Sequence, residues 1–272
     1  MVTAEHAGAI LTIDLGAIAA NYRLLGARAG AAECAAVVKS DAYGLGLEPV
    51  ARTLAAAGCR QFFVAQIGEG IELRRILSDT AAGQAAIYVL NGLMAGSETA
   101  FAEAALIPVL NAADEIDAWA AFAAAGDTER TAAINIDTGM ARLGLTPAEV
   151  DELAADPARF DGIDIALVMS HLACAYDRDN AFNRTQREAF EAARARLPTA
   201  RASLASSSAI FLGPEFHFDL VRPGASIFGI APLARTPNPM AQVIRLQGKI
   251  AQVRVVDSGM TVGYGATHRA TR

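Results

Sequence analysis

A lysine at the end of a short apolar run is the first group in this chain that could do chemistry. Residues 35–38, Ala-Ala-Val-Val, have the composition of a buried β-strand, and Lys39 follows them directly. A cation at the end of a buried strand costs free energy unless it is paired or used. Lysine amines form Schiff bases with carbonyl compounds. Lys39 is therefore a candidate nucleophile, and Tyr43 in the next loop could reach a phosphate or a substrate; the plain alternative is a lysine with its head in water.

Polar residues follow four later apolar runs in the same way. A histidine after an apolar run is most often a hydrogen-bonded core residue, and consecutive serines commonly begin a helix. No single position of this kind indicates a function. Their repeated occurrence where strands end favours a functional site. The segments are 135–144 with Asn135 and Arg142, Ser170-His171, the serines 206–208, and Arg222-Pro223-Gly224-Ala225.

Short β-type runs and helix-type segments alternate between these positions. This alternation favours parallel βαβ units, and eight repeats favour a closed barrel over an open sheet. In such a barrel, functional residues gather at the carboxyl ends of the strands. Strands are predicted at 10–13, 35–38, 62–65, 87–90, 107–110, 132–136, 163–169, 202–205 and 218–221. Helices are predicted after an Asp14 N-cap and at 48–57, 69–77, 98–104, 113–124, 148–155 and 180–196, with a weaker candidate at 206–212.

The character of the chain changes after residue 230. A proline-rich loop leads into 242–256, where apolar and polar residues alternate as in a β-strand. We therefore predict a (β/α)8 barrel domain over 1–232 and the start of a β-rich domain over 233–272, to which residues 9–13 would add a strand. Near its end, Tyr264 stands between two glycines; the plain interpretation is a turn-flanked aromatic residue.

Composition excludes several classes of protein. The 272 residues are 53% hydrophobic, which supplies a core, and the net charge of −6 argues against general binding to nucleic acid or anionic membranes. Three scattered cysteines and four histidines show no metal-ligand spacing, so we predict no metal site and reduced thiols. With neither a signal peptide nor a membrane span in the sequence, the expectation is a cytoplasmic protein.

Several of these segments resemble those of the alanine racemases. The matching motifs are Val-Val-Lys39-Ser-Asp-Ala-Tyr43-Gly-Leu-Gly, Asp137-Thr-Gly-Met-Ala-Arg142-Leu-Gly, Ser170-His171-Leu-Ala, Val221-Arg222-Pro-Gly-Ala-Ser-Ile-Phe-Gly and Gly263-Tyr264-Gly-Ala. The resemblance extends over nearly the whole chain. It implies a (β/α)8 barrel that binds pyridoxal 5′-phosphate. The family's β-domain is longer, so this sequence looks C-terminally truncated relative to it.

The resemblance also assigns roles to the residues. Lys39 would carry the cofactor, Arg142 would contact the substrate carboxylate or the cofactor's phenolic oxygen, and Arg222 would face the pyridine nitrogen. Because arginine stays protonated, it disfavours the pyridinium form, which suits racemisation over transamination. The remaining cofactor contacts that the resemblance implies are Tyr43, His171, Ser207, Gly224 and Ala225, the last two through backbone N–H groups.

Two further positions carry expectations from the resemblance. In many members a carbamylated lysine orients the arginine; this chain has Asn135 there, so we expect no carbamylated lysine, with an anion such as chloride as a candidate replacement. The family's tyrosine, here Tyr264, crosses a dimer interface into the partner's active site. Racemisation needs an acid–base group on each face of the α-carbon. Lys39 would serve one face and Tyr264 the other, which predicts a homodimer.

The resulting prediction is an alanine racemase that interconverts L- and D-alanine and supplies D-alanine for peptidoglycan. A serine or broad-specificity amino-acid racemase of the same fold is one alternative. A non-catalytic pyridoxal-phosphate-binding barrel is another, although such proteins lack the β-domain that holds Tyr264. A decarboxylase on the related barrel is less favoured, because nothing here resembles its cysteine-bearing second domain.

Overall fold

The computed structural model describes residues 5–126 and 128–272, and these form two compact units. The larger unit is Ile13–Val243. The smaller one combines the described residues before Ile13 with Ile244–Arg272. The predicted domain boundary at residue 233 falls inside the larger unit, close to its end.

The larger unit alternates strands and helices. After β1 (Ala9–Ile13), its strands are β2 (Glu33–Cys34), β3 (Ala36–Val37), β4 (Gln61–Val64), β5 (Ala86–Val89), β6 (Ile107–Leu110), β7 (Arg130–Asn135), β8 (Ile163–Met169), β9 (Arg201–Ser203) and β10 (Leu220–Val221). Its helices are α1 (Leu15–Ala29), α2 (Lys39–Gly44), α3 (Leu47–Ala56), α4 (Ile67–Leu77), α5 (Glu98–Glu103), α6 (Ala113–Ala125), α7 (Pro147–Ala155) and α8 (Phe182–Arg194). Single 3-10 turns are found at Pro157–Phe160, Ala209–Phe211, Pro214–Phe216 and Ala225–Phe228.

The strands form a closed ring. Strands β3 to β9 pair in chain order and in parallel. On one side β10 pairs in parallel with β2, which Ala35 alone separates from β3. On its other side the Asp219 N–H donates to Ala202 O at 3.0 Å, and the Arg222 N–H donates to Ala205 O at 2.8 Å. These bonds join the last strand to both its neighbours, so the predicted eight-stranded α/β barrel is confirmed.

Alternate residues along the strands build two separate apolar cores. Successive side chains of a strand point to opposite faces, so each strand contributes to both. The cluster inside the ring is Ala35, Val37, Phe63, Tyr88, Val109, Ala133, Leu167, Met169 and Leu220. The neighbouring strand residues pack against the helices, and they include Ala36, Phe62, Val64, Ile87, Val89, Leu110, Ala132, Ile134 and Val168. Burial on both faces explains why these strands are continuous apolar runs.

Side-chain caps fix where several helices begin. Asp14 accepts from the Ala17 N–H at 2.9 Å, which confirms the predicted N-cap of α1. Thr146 and Glu149 form a capping box at the start of α7, with Pro147 in the first turn. Such caps satisfy N–H groups that a helix leaves without partners, and they set where the chain turns after each strand.

The two predicted elements that differ most in length from the structure are a helix and a strand. The helix expected at 206–212 is only a 3-10 turn, because the Ser207 side chain accepts hydrogen bonds from the loop after β10 instead of capping a helix. The strand expected at 242–256 is confined to β11 (Ile244–Gly248). The alternation continues beyond it at Val253 and Val255, but both side chains are 84% exposed.

The smaller unit contains short β-structure. Strand β1 pairs with β11. A second pair, β12 (Thr261–Val262) and β13 (His268–Arg269), is antiparallel. Tyr264 lies between these two strands in the 3-10 turn Tyr264–Ala266. Among the helices that the structure describes, none is long and apolar enough to cross a membrane.

Candidate active site

A cavity of about 440 Å³ opens where the barrel strands end. This volume lies within the range of small-molecule sites, about 300–1,000 Å³. Its walls come from residues at the carboxyl ends of β3, β4, β5, β7, β8, β9 and β10 or within a few positions after them. Eight of the nine predicted site residues line it: Lys39, Tyr43, Arg142, His171, Ser207, Arg222, Gly224 and Ala225. The ninth, Tyr264, belongs to the smaller unit, where its side chain is fully exposed.

Lys39 begins a left-handed turn. Residues 40–43 all have φ between +53° and +59°, a conformation that costs about 1–2 kcal/mol per residue without glycine. Glu69 holds the turn by accepting from the Ser40 N–H at 2.5 Å, and Ala42 is fully buried. Because the backbone turns directly after Lys39, this residue stays at the end of the strand, half-buried in the cavity wall. Within the described chain its amine has no hydrogen-bond or salt-bridge partner.

A cluster of donors lies between β9 and β10. Ser207 Oγ accepts from the N–H groups of Gly224, at 3.0 Å, and Ser226, at 3.2 Å. An oxygen that accepts two bonds leaves its own proton to donate elsewhere. The Ala225 N–H has no acceptor among the described residues. Because the Gly224 N–H is already engaged with Ser207, the donors that this cluster leaves at the cavity are the Ser207 hydroxyl and the Ala225 N–H. The buried Ser226 hydroxyl also lacks a partner among the described residues, but it does not line the cavity.

Gly224 also allows a close approach of Tyr43. A Cβ at position 224 would lie 2.3 Å from Tyr43 Oη and 3.2 Å from Val37 Cβ. The Tyr43 ring packs against Phe228 with a centroid distance of 4.8 Å. Burial raises the pKa of Tyr43, so its hydroxyl keeps its proton and can donate. Tyr43, Ser207 and Ala225 together form a donor cradle with the polarity that a phosphate needs.

Arg222 is a buried cation held by neutral groups. Its side chain is 4% exposed, with Nε donating to Ser203 Oγ at 3.2 Å and Nη2 donating to Ser170 O. The guanidinium also lies 5.9 Å from the Phe63 ring centroid. No carboxylate in the described chain lies within salt-bridge distance. Burial lowers the pKa of Arg222 to about 10, which leaves it protonated at neutral pH.

His171 lies between the cations of the cavity. Burial lowers its pKa to about 3, and the positive charges of Arg222, Arg142 and Lys39 act in the same direction. The imidazole is therefore neutral at physiological pH and carries one donor and one acceptor nitrogen. Neutral His171 is therefore better suited to connect two polar groups by hydrogen bonds than to bind an anion.

Arg142 is less constrained than Arg222. It is exposed and has no hydrogen-bond partner in the part of the chain that the structure describes. Nearby, the buried Asn135 donates from Nδ2 to Asn111 Oδ1 at 2.9 Å, while Asn135 Oδ1 has no partner. Asn111 is fixed by its own donation to Leu90 O and Val109 O, which sets the orientation of Asn135. The free oxygen can accept from a donor, and the anion expected beside Asn135 stays a prediction.

The cavity is positively charged overall. Lys39, Arg142 and Arg222 line it against a single carboxylate, Asp137. That carboxylate accepts from the backbone N–H groups of residues 139–141, at 2.9–3.1 Å, and so belongs to the loop. An excess of positive charge suits a ligand with a phosphate and a carboxylate.

Several polar residues behind the cavity wall are not predicted from the sequence. Ser203 supports Arg222, Asn111 supports Asn135, and the fully buried Gln186 bonds to Thr138. One signal was available for Gln186: it lies four residues before Phe190, on the buried face of α8. A polar residue at that spacing indicates a buried hydrogen-bond partner.

The comparison with family models decides the family. Residues 13–232 match the model described as "Alanine racemase, N-terminal domain". The chain belongs to the alanine racemase family. The match covers the whole barrel, including Lys39 and the loop after β10.

Relatives in this family match the chain closely over nearly all its length. It is 51% identical over 267 residues to an alanine racemase of Rhodospirillum rubrum, which covers 98% of this chain and 70% of the relative. It is 52% identical over 269 residues to a protein described as "Alanine racemase, catabolic" from Mesorhizobium japonicum, which covers 99% and 70%. The chain thus spans about 70% of the length of these relatives.

A solved structure in the family is that of the alanine racemase from Bartonella henselae with covalently bound pyridoxal phosphate. It superposes with a TM-score of 0.90 at 40% identity, over 98% of this chain and 73% of that one. The alanine racemase family consists of pyridoxal-phosphate-dependent isomerases. The donor cradle, the unpaired lysine and the buried arginine of this chain fit that cofactor's phosphate, carbonyl and ring nitrogen.

Proposed function

We propose that this chain binds pyridoxal phosphate on Lys39 and interconverts L- and D-alanine. The observation that carries the proposal is the placement of an unpaired lysine and the donor cradle in one cavity. Membership of the family and about 50% identity to named alanine racemases support the same conclusion.

Each part of the cavity has a task in this proposal. Lys39 would hold the cofactor's carbonyl carbon, and the Tyr43, Ser207 and Ala225 donors would bind its phosphate, with Gly224 leaving the space. Bound pyridoxal phosphate would withdraw electrons from the substrate's α-carbon and so make its proton acidic. Arg222 would meet the ring nitrogen as a donor, since it remains protonated. Arg142 would bind the substrate carboxylate.

Proton transfer needs one group on each face of the α-carbon. The Lys39 amine would act on one face. We propose that Tyr264 of the partner subunit acts on the other face, in a homodimer with shared sites. The full exposure of Tyr264 in the smaller unit supports this role. Neutral His171 would stand between that tyrosine and Arg222, where it can accept from one group and donate to the other.

The physiological role is proposed as the supply of D-alanine for peptidoglycan in the cytoplasm. Three free cysteines support a reducing compartment. A catabolic role is the second candidate, because a relative 52% identical to this chain is described as catabolic. Growth on D-alanine or L-alanine as a nitrogen source, after deletion of the gene, distinguishes the two roles.

The first experiment measures D-alanine formation from L-alanine by the purified chain with added pyridoxal phosphate. The Lys39→Ala variant should lose both turnover and the absorbance of the lysine-bound cofactor. Lys249→Ala is the matched control, since Lys249 is the only other lysine of the sequence and lies in the smaller unit. This control should keep the absorbance.

The other outcomes identify the alternatives. If Lys39→Ala keeps the absorbance of the lysine-bound cofactor, Lys39 is not the residue that binds pyridoxal phosphate. Absorbance without turnover in the parent chain would favour a non-catalytic cofactor-binding barrel. Equal turnover of L-serine and L-alanine would favour a broad-specificity racemase.

A further inference from the structure

A buried glutamine on α8 connects the polar segments around the cavity. Gln186 is fully buried and does not line the cavity itself. Its Nε2 donates to His171 O at 3.1 Å and to Thr138 Oγ1 at 3.2 Å. Its Oε1 accepts from the Ala173 N–H at 2.8 Å. One side chain thus satisfies two backbone groups and a hydroxyl from two different loops.

The hydrogen bonds continue from Gln186 to the buried arginine. Thr138 Oγ1 lies 2.8 Å from Ser170 Oγ, within hydrogen-bond distance. The carbonyl oxygen of Ser170 accepts from Arg222 Nη2. A continuous series of polar groups therefore connects Gln186 on α8, through the residues that follow β7 and β8, to the Arg222 guanidinium.

The backbone leaves the sheet just before His171: the Ser170 N–H still donates to Ser203 O of β9, at 3.1 Å. Strand β8 ends at Met169, and residues 170–173 are irregular. Buried backbone groups require partners, and here the carboxamide of Gln186 takes the place of a neighbouring strand. It bonds on both sides of Leu172, which fixes the backbone that carries the imidazole.

We propose that Gln186 is a positioning residue for the racemase site: it holds His171 and, through Thr138 and Ser170, Arg222. It touches neither substrate nor cofactor. The inference rests on the proposed function for its effect on turnover, but the hold on His171 is a property of the chain itself.

Loss of this hold has a defined electrostatic result. In place, His171 faces Arg222, Arg142 and Lys39, and these charges together with burial keep it neutral. A segment freed from Gln186 would let water reach the ring and let it move from the cations. Its pKa would then rise towards the ordinary value of about 6.5.

The variants separate positioning from mere stability. Gln186→Met keeps the length and removes all three hydrogen bonds. Gln186→Glu keeps the acceptor for the Ala173 N–H but donates to His171 O only when protonated. Asn183→Leu is the matched control: Asn183 is also buried on α8, and among the described residues its side chain bonds only to Asp177 O.

We expect Gln186→Met to lower kcat at least tenfold at pH 8, with a smaller change in KM. The kcat of Gln186→Glu should approach that of the parent as the pH falls, because the protonated carboxyl regains a donor. Asn183→Leu should keep the parental kcat and pH profile. A purely structural role would lower the fraction of folded protein without changing the pH profile.

Proton NMR of the four histidines without substrate gives a readout that does not depend on turnover. The His171 signal, assigned by its loss in His171→Gln, should not titrate above pH 5 in the parent chain and should titrate in Gln186→Met. If the parent chain does not racemise alanine, the proposed function fails while this test still decides the role of Gln186. An unchanged His171 titration in folded Gln186→Met or Gln186→Glu, or equal effects of Asn183→Leu, would overturn the inference.

Discussion

Two arginines line the same cavity in opposite states. Arg222 is 4% exposed and bonded to Ser203 and Ser170, whereas Arg142 is exposed and has no partner in the described chain. The Arg222 side also contains the donor cradle. The end of the cavity that contains Arg222 is therefore assembled before any ligand binds. At the other end, Arg142 becomes ordered only when a ligand binds.

This difference suits a cofactor that stays and a substrate that leaves. A preassembled site pays no ordering cost on binding and can hold a ligand tightly. A free arginine loses side-chain entropy on each binding event, which weakens the contact and allows release. Separate substitutions at the Arg222 end and at the Arg142 end of the cavity test this difference.

The largest expected effect comes from replacing the buried arginine by lysine. In Arg222→Lys a single ammonium cannot reproduce the bonds to Ser203 and Ser170 with one planar group. We expect kcat/KM to fall about 100-fold, or about 2.7 kcal/mol of transition-state stabilisation. The matched change Arg142→Lys should cost about tenfold or less, and equal losses would contradict the proposed division of the cavity.

The second effect concerns the cradle. A methyl group in Gly224→Ala would lie 2.3 Å from Tyr43 Oη and displace the tyrosine. We expect the affinity for pyridoxal phosphate to fall about tenfold, or about 1.4 kcal/mol. The double variant with Tyr43→Phe should lose less than the sum of the single changes, because the clashing atom is gone. Additive losses in a cofactor titration would show that the two residues act independently.

A smaller change is expected at the open end. Arg142→Gln should raise KM for L-alanine about tenfold and leave the affinity for pyridoxal phosphate unchanged. Because the side chain is exposed and unbonded, the free energy of unfolding should change by less than about 0.5 kcal/mol. Steady-state kinetics and urea unfolding measure the two quantities. A marked loss of stability would mean that Arg142 has structural contacts like those of Arg222.

The last prediction concerns the contribution of His171 to the pH dependence of stability. Its folded pKa of about 3 lies below the unfolded value of about 6.5, so between these values the unfolded chain binds more protons. The stability contributed is complete above pH 6.5 and is lost as the pH falls towards 3. In urea unfolding, His171→Gln should lose less stability from pH 7 to 5 than the parent chain. The exposed His268→Gln serves as the control.

The sequence predicted the members of the site because barrel geometry brings strand ends together. Lys39, His171 and Arg222 lie far apart in sequence, yet each follows a strand of one ring. The supporting contacts were not predictable in the same way. Gln186 makes its hydrogen bonds only when α8 packs beside two loops. The left-handed turn at 40–43 contains no glycine, which is the residue that normally indicates such a conformation in a sequence. Such features depend on tertiary partners, which local patterns do not encode.

The closure of the barrel has a consequence for synthesis of the protein on the ribosome. The first barrel strand, β2 with β3, pairs on one edge with β10, about 190 residues later in the chain. At typical elongation rates of about 5–20 residues per second, that edge stays open for on the order of ten to forty seconds. During this interval an apolar strand with unpaired backbone groups is open to chaperones or to other nascent chains. Arg222 and the donor loop emerge only at the end of it, so on the nascent chain they join Lys39 in one cavity only when the ring is complete.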